Sequence, residues 1–154
     1  MQKYLIALTA LLALSTHALA QVSVTAPWIR ATVPQQESTG VFMHLESADD
    51  ARLVGVSTPA ASRSEFHQMD MRGHTMKMQQ VDSIDLAAGK GVNLASGGYH
   101  IMLIRTMFLF RHLWIVPLTI VVEHMDKKRE RITLKVPVKP LTFTGPGAGP
   151  SRHH

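Results

Sequence analysis

Apolar and polar residues alternate with a period of two through most of the chain, in short runs broken by Gly, Pro, Asp and Ser. The pattern predicts strands over residues 22–25, 41–45, 53–56, 64–69, 75–81, 91–94, 99–104, 118–123 and 132–138. Pro27 interrupts the first run, and Ser47-Ala48-Asp49-Asp50 closes the second as a turn cluster. Gly89, Gly91 and Gly97-Gly98 punctuate the later ones. Outside the N-terminal segment no window carries the 3.6-residue period of an amphipathic helix. Seven to nine strands without helical crossovers predict an all-β domain, an antiparallel β-sandwich or small barrel.

Two apolar stretches fall outside this pattern. In residues 1–20, Lys3 precedes an apolar run over 4–14, and Ala18-Leu19-Ala20 closes the segment with small residues either side of a leucine. This is the layout of a cleavable secretory signal peptide, too short in its apolar part to span a bilayer. Cleavage is expected after Ala20, with the mature chain in the periplasm. Residues 101–122 are also mostly apolar, but Arg105, Arg111, His112 and Pro117 stand among them. Each arginine near a bilayer centre costs about 2.5–3.5 kcal/mol, so no membrane span is expected in the mature chain. Residues 21–141 then form one domain, and the Gly/Pro-rich residues 142–154, ending in Arg152-His153-His154, a flexible tail.

Composition narrows the chemistry. The 154 residues include no cysteine, which excludes disulfide scaffolds, thiolate zinc and blue-copper sites, and covalently attached c-type haem. They include nine Met and nine His. The net charge of +5 is dispersed apart from Lys127-Lys128-Arg129 with Arg131, which reads as a solvated turn, so nucleic acid is not an expected partner.

The Met and His residues are concentrated. Residues 66–78 hold two His and four Met, and His-x-Met occurs at His67/Met69, His74/Met76 and His100/Met102. Residues two apart on a strand share a face. His100 and Met102 therefore point together, with Tyr99, Ile101 and Leu103 directed oppositely into a core. A turn at Arg72-Gly73 would make a hairpin that sets the first two segments side by side. Thioether and imidazole together favour Cu(I) over zinc, calcium or magnesium. Met43, Met107 and Met125 are expected to be packing residues, and His44, His112 and His124 surface or structural ones. The first cluster differs, because Asp70, Arg72, Gly73 and Lys77 surround its methionines with a setting poor for core packing.

These residues resemble the periplasmic copper chaperones called PCuAC, whose mark is His-x10-Met-x21-His-x-Met. His67, Met78, His100 and Met102 match it without a gap. Trp28-Ile29-Arg30-Ala31-Thr32, Leu53-Val54-Gly55-Val56, Gly97-Gly98-Tyr99-His100 and Val116-Pro117-Leu118-Thr119 are similar to the family's flanking segments. The resemblance implies a cupredoxin-like β-sandwich binding Cu(I) through His67, Met78, His100 and Met102. Met69 and Met76 become nearby accessory or transient hand-off positions. It further implies copper supply towards the CuA centre of cytochrome c oxidase, with a Sco-type copper protein or an oxidase subunit as partner. Residues 105–115 depart from the family, which has a polar turn there. The length is kept and the character lost, as a pair of compensating frameshifts would produce. Taken as they stand, Phe108, Phe110 and Trp114 are expected to form an exposed apolar patch.

Other functions fit less well. A periplasmic copper-sequestering or resistance protein would use the same ligands. A copper monooxygenase brace needs an N-terminal histidine where the mature chain has Gln21, and no Gly-x-Ser-x-Gly elbow is present for hydrolysis. Non-covalent His/Met haem ligation and a metal-free interaction module complete the alternatives. A carrier without catalysis of its own is expected.

Overall fold

The computed structural model describes residues 21–107, 110–112 and 114–146. The strands are β1 (Val22–Arg30), β2 (Ser38–Ser47), β3 (Ala51–Ser57), β4 (Ala61–Arg72) and β5 (Thr75–Val81). They continue with β6 (Ile84–Leu86), β7 (Val92–Leu94), β8 (Tyr99–Thr106), β9 (Ile115–His124) and β10 (Arg129–Lys139). Eight of the nine predicted runs lie within these strands, and the ninth, 91–94, begins one residue before β7. The three-residue β6 was missed because it is too short to display a period.

Hydrogen bonds link the strands in the order β5-β4-β8-β2-β1-β10-β9-β3-β6, with β7 also pairing β2. Every pairing is antiparallel except that of β1 with β10, where Ile29 lies beside Val138 and Arg30 beside Lys139. That short parallel contact departs from the antiparallel expectation and joins the β5-β4-β8-β2-β1 layer to the β10-β9-β3-β6 layer. A bulge makes it possible. Pro27 has no N–H to donate, and Ala26 takes a φ of 49°, so the register shifts between Thr25 and Trp28. The strand that Pro27 was expected to end therefore continues to Arg30.

Alternate residues of both layers meet in one core. Val41, Leu45, Ile101 and Leu103 from the first layer and Leu53, Leu118, Ile120, Val122 and Val136 from the second are fully buried. The apolar stretch 101–122 is divided between β8 and β9. Among the described residues no helix is long and apolar enough to cross a membrane.

The segment between β8 and β9 corrects one expectation. Phe110 is buried in the core. Its N–H donates to Thr32 Oγ1 at 2.8 Å, and its carbonyl accepts from Thr32 N–H at 2.9 Å. Phe110 is therefore no part of an exposed patch, whereas Trp114 is exposed as expected and Phe108 lies outside the described residues. Residues 1–20 and 147–154 also lie outside them, and with them the signal peptide and most of the tail. Within the described part of the tail, Phe143 packs edge-on against Trp28 at a centroid distance of 4.9 Å.

On the outer face of the first layer, Gly40 makes room for an aromatic ring. A methyl group on Gly40 would lie 2.6 Å from Phe42 Cζ. The Phe42 ring is itself held between Trp28 at 4.5 Å and His100 at 6.4 Å. Gly40→Ala is expected to destabilise the domain by about 1–3 kcal/mol through overpacking and to move the His100 ring resonances. Urea unfolding and NMR would detect both, and an unchanged His100 spectrum would show that Phe42 does not seat that imidazole.

Candidate metal centre

The register of β4, β5 and β8 decides which side chains meet. Phe66 faces inward opposite Ile101, so its neighbours on β4 and β8 face outward. Glu65 then lies opposite Met102, and His67 opposite His100. Across the other edge of β4, Met69 lies opposite Met78 and Met71 opposite Met76. The predicted ligands His67, Met78, His100 and Met102 thus lie on one face of three adjacent strands. His67 and His100 form the centre, with ring centroids 5.9 Å apart. Met102 is two residues beyond His100 on β8, and Met78 is one ladder step from His67 on β5. Of the accessory pair, Met69 is half-buried beside this centre, and Met76 is exposed farther along the hairpin.

The hairpin turn is at Gly73-His74, one residue later than predicted, with Gly73 at a φ of 65°. His74 is therefore in the turn, outside the strand that carries Met76 and Met78, in keeping with the predicted strand start at residue 75.

Each of the two imidazoles has one nitrogen held by a hydrogen bond. His100 is buried, and its Nδ1–H donates to the Gly98 carbonyl at 3.1 Å, which leaves the Nε2 lone pair free. His67 Nε2–H donates to Glu65 Oε2 at 2.9 Å. Its Nδ1 is buried with no hydrogen-bond partner. A carboxylate that fixes one nitrogen of an imidazole orients the other for coordination. Glu65 is in turn held by Arg63 Nε at 3.2 Å. Burial pushes the His100 pKa down from its ordinary value, against the Gly98 hydrogen bond, and the charge of His67 adds to the lowering. A neutral imidazole is the form a metal requires.

Among the described residues, no group of three or more His, Asp or Glu is gathered closely enough to hold a metal ion. Beside the two imidazoles this face carries the thioethers of Met69, Met78 and Met102, and two imidazoles with thioethers suit a soft monovalent ion. The orphaned Nδ1 of His67 and this donor set fit copper(I).

Sequence reasoning overlooked two supporting residues. Glu65 stands two before His67, so their shared face was readable from strand parity. Phe42 was not readable, since it reaches His100 from β2 through the register of a different pair. Beyond Phe42 the row of rings continues through Trp28 to Phe143, and the Arg30 guanidinium lies over Trp28 at 5.7 Å and over Phe42 at 5.4 Å. A cavity of about 470 Å³ borders this row and is lined by Trp28, Arg30, Phe42 and His44, but by none of the predicted ligands. Elsewhere Met43 is buried as expected, whereas Met107 and Met125 are exposed, because they follow the ends of β8 and β9 rather than lying within them. His124 pairs with Glu130 at 3.3 Å, a structural role like that expected.

Known structures share this architecture. The apo PCuAC domain of PmoF2 superposes with a TM-score of 0.67 at 22% identity, over 83% of this chain and 97% of that one. The copper-bound PCuAC domain of PmoF2 gives 0.61 at 21% identity, over 80% and 97%. The Cu(I) form of DR1885 from Deinococcus radiodurans gives 0.57 at 22% identity, over 83% and 85%. These likenesses establish the cupredoxin-like β fold. No curated protein matches the chain in sequence. The LpqE-like lipoprotein family matches residues 22–138. With three-quarters of its length in that match and its fold that of PCuAC domains, the chain belongs to the LpqE-like lipoprotein family, the family of PCuAC-type domains.

Proposed function

We propose that this chain is an extracytoplasmic Cu(I) carrier in which His67, Met78, His100 and Met102 hold the ion. The observation that supports it best is the His67–His100 pair, in which hydrogen bonds to Glu65 and Gly98 each hold one ring nitrogen and leave the other without a partner, on a face that also carries methionine sulfur. The copper-bound PCuAC structures support the choice of metal.

The site is graded from buried to open. His100 is buried, His67 and Met102 are half-buried, and Met78 is 53% exposed. A cargo ion needs such an arrangement, because an incoming acceptor ligand must replace an outer donor before the inner ones let go. Met78 is the donor placed for that exchange. Thioethers carry no proton and no charge, so they can be exchanged without a coupled proton transfer. The role proposed is delivery in the periplasm towards the CuA centre of cytochrome c oxidase, by way of a Sco-type protein or the oxidase subunit itself. The carrier performs no catalysis of its own.

Three measurements test this reading. His100→Ala and Met78→Ala are each expected to weaken Cu(I) binding by more than the roughly 10–100-fold that removal of a supporting partner such as Glu65 costs. Competition titrations with a chromogenic Cu(I) chelator would rank wild type above Glu65→Ala and Glu65→Ala above the ligand variants. Unchanged affinity in either ligand variant would remove that residue from the coordination shell.

Acid dependence gives a second test. The folded His100 pKa lies below the value of about 6.5 expected unfolded, so the unfolded chain binds that proton more readily. The stability His100 contributes is full above the unfolded value and is lost as pH falls through the folded one. Copper-free protein is expected to lose unfolding free energy on acidification through this window, and His100→Gln to flatten the slope. An equal slope in both proteins would assign the effect to another group.

Deletion of the gene separates delivery from sequestration. Loss of oxidase activity that added copper restores is the expected result. Copper sensitivity with normal oxidase would instead mark a resistance protein.

A further inference from the structure

Between His67 and the turn, the outer face of the β4–β5 hairpin presents methionine at every position: Met69 opposite Met78, then Met71 opposite Met76. The reverse face of the same hairpin is polar. Asp70 lies opposite Lys77, and Arg72 bonds both Asp70 Oδ2 and Gln79 Oε1 at 3.1 Å. The charged residues that surround these methionines in sequence are therefore segregated from them in space.

Packing does not account for the sulfur face. Met71 is 63% exposed and Met76 49% exposed, on a hairpin whose second strand is the edge of the sheet. Exposed edge strands are ordinarily guarded by charge, and here the charge lies on one side only. Side chains directly opposite on such a ladder have Cβ atoms about 4.5–5.5 Å apart, and diagonal neighbours about 7–8 Å, within reach of long side chains. Methionine has three rotatable bonds, so the sulfurs of Met69, Met71 and Met76 can converge on one point. With no imidazole or carboxylate on this part of the face, the donor set rejects hard divalent ions and accepts a soft monovalent one.

We propose that Met69, Met71 and Met76 form a second, thioether-only locus for Cu(I), separate from the His67/His100 centre. It rests on the carrier reading for the identity of its natural ion, though not for its geometry. A strand rises about 3.4 Å per residue, which sets Met71 roughly 14 Å from His67 along β4. Met78 stands between the two loci. An ion can pass from one to the other by exchange of thioethers, with copper remaining Cu(I) and no proton gained or lost.

The test is a titration of the full-length mature chain, labelled at the methionine methyl carbons, with Ag(I) as a redox-silent probe and then with Cu(I). Two equivalents are expected to bind. The first should move the His67 and His100 ring signals, and the second the methyl signals of Met69, Met71 and Met76. The second should persist at about pH 5, where protons compete for imidazole but not for thioether. Met71→Leu, which keeps the apolar volume, should lose the second equivalent and retain the first. His100→Ala should weaken the first and retain the second, so failure of the main site and failure of this one are read separately. Methyl signals of Met71 and Met76 that stay still at two equivalents, or a Met71→Leu chain that still binds two, would overturn the proposal.

Discussion

The centre depends on the β4–β8 register. Phe66 opposite Ile101 anchors that register in the core, and the pleat then obliges His67 and His100 to face each other outside it. A slip of β4 by one residue would turn His67 inward, away from His100, and bring Phe66 to the surface, exchanging a buried aromatic ring for an unsolvated polar one. The energy that keeps the histidines together is thus mostly the burial of their apolar neighbours, which binding a metal does not disturb.

On that scaffold the local chemistry is divided by depth. At the centre of the face, the Gly98 carbonyl and the Glu65 carboxylate each occupy one nitrogen of an imidazole and leave the other available. Alongside it, the row of Phe42, Trp28 and Phe143 supports His100 from the β2 side. Towards the β5 edge no such support exists, and the methionines are open to water. Rigidity belongs to the imidazoles and adaptability to the methionines, in keeping with the stiffness of a ring and the flexibility of a thioether chain.

Much of this was legible in the residue order. Alternation in residues 99–104 and 118–123 located β8 and β9 and their buried faces, because a half-buried strand writes its pleat into its sequence. The spacing of His67, Met78, His100 and Met102 matched a family pattern, and strand parity separated His100 and Met102 from Ile101 and Leu103. What escaped was long-range or irregular. Nothing local predicts that Pro27 is absorbed in a bulge, that β1 runs parallel to β10, or that Phe110 reaches the core through Thr32. Each of these depends on a partner far away in the chain. The one-residue error at Gly73-His74 was local and left the predicted start of β5 unchanged.

The parallel contact between Ile29 and Val138 has a kinetic meaning. It joins the first strand to the last, so the two layers cannot be sealed until the final strand is present, and closing so wide a loop is entropically slow. A chain of this topology stays open and threadable while its beginning waits for its end.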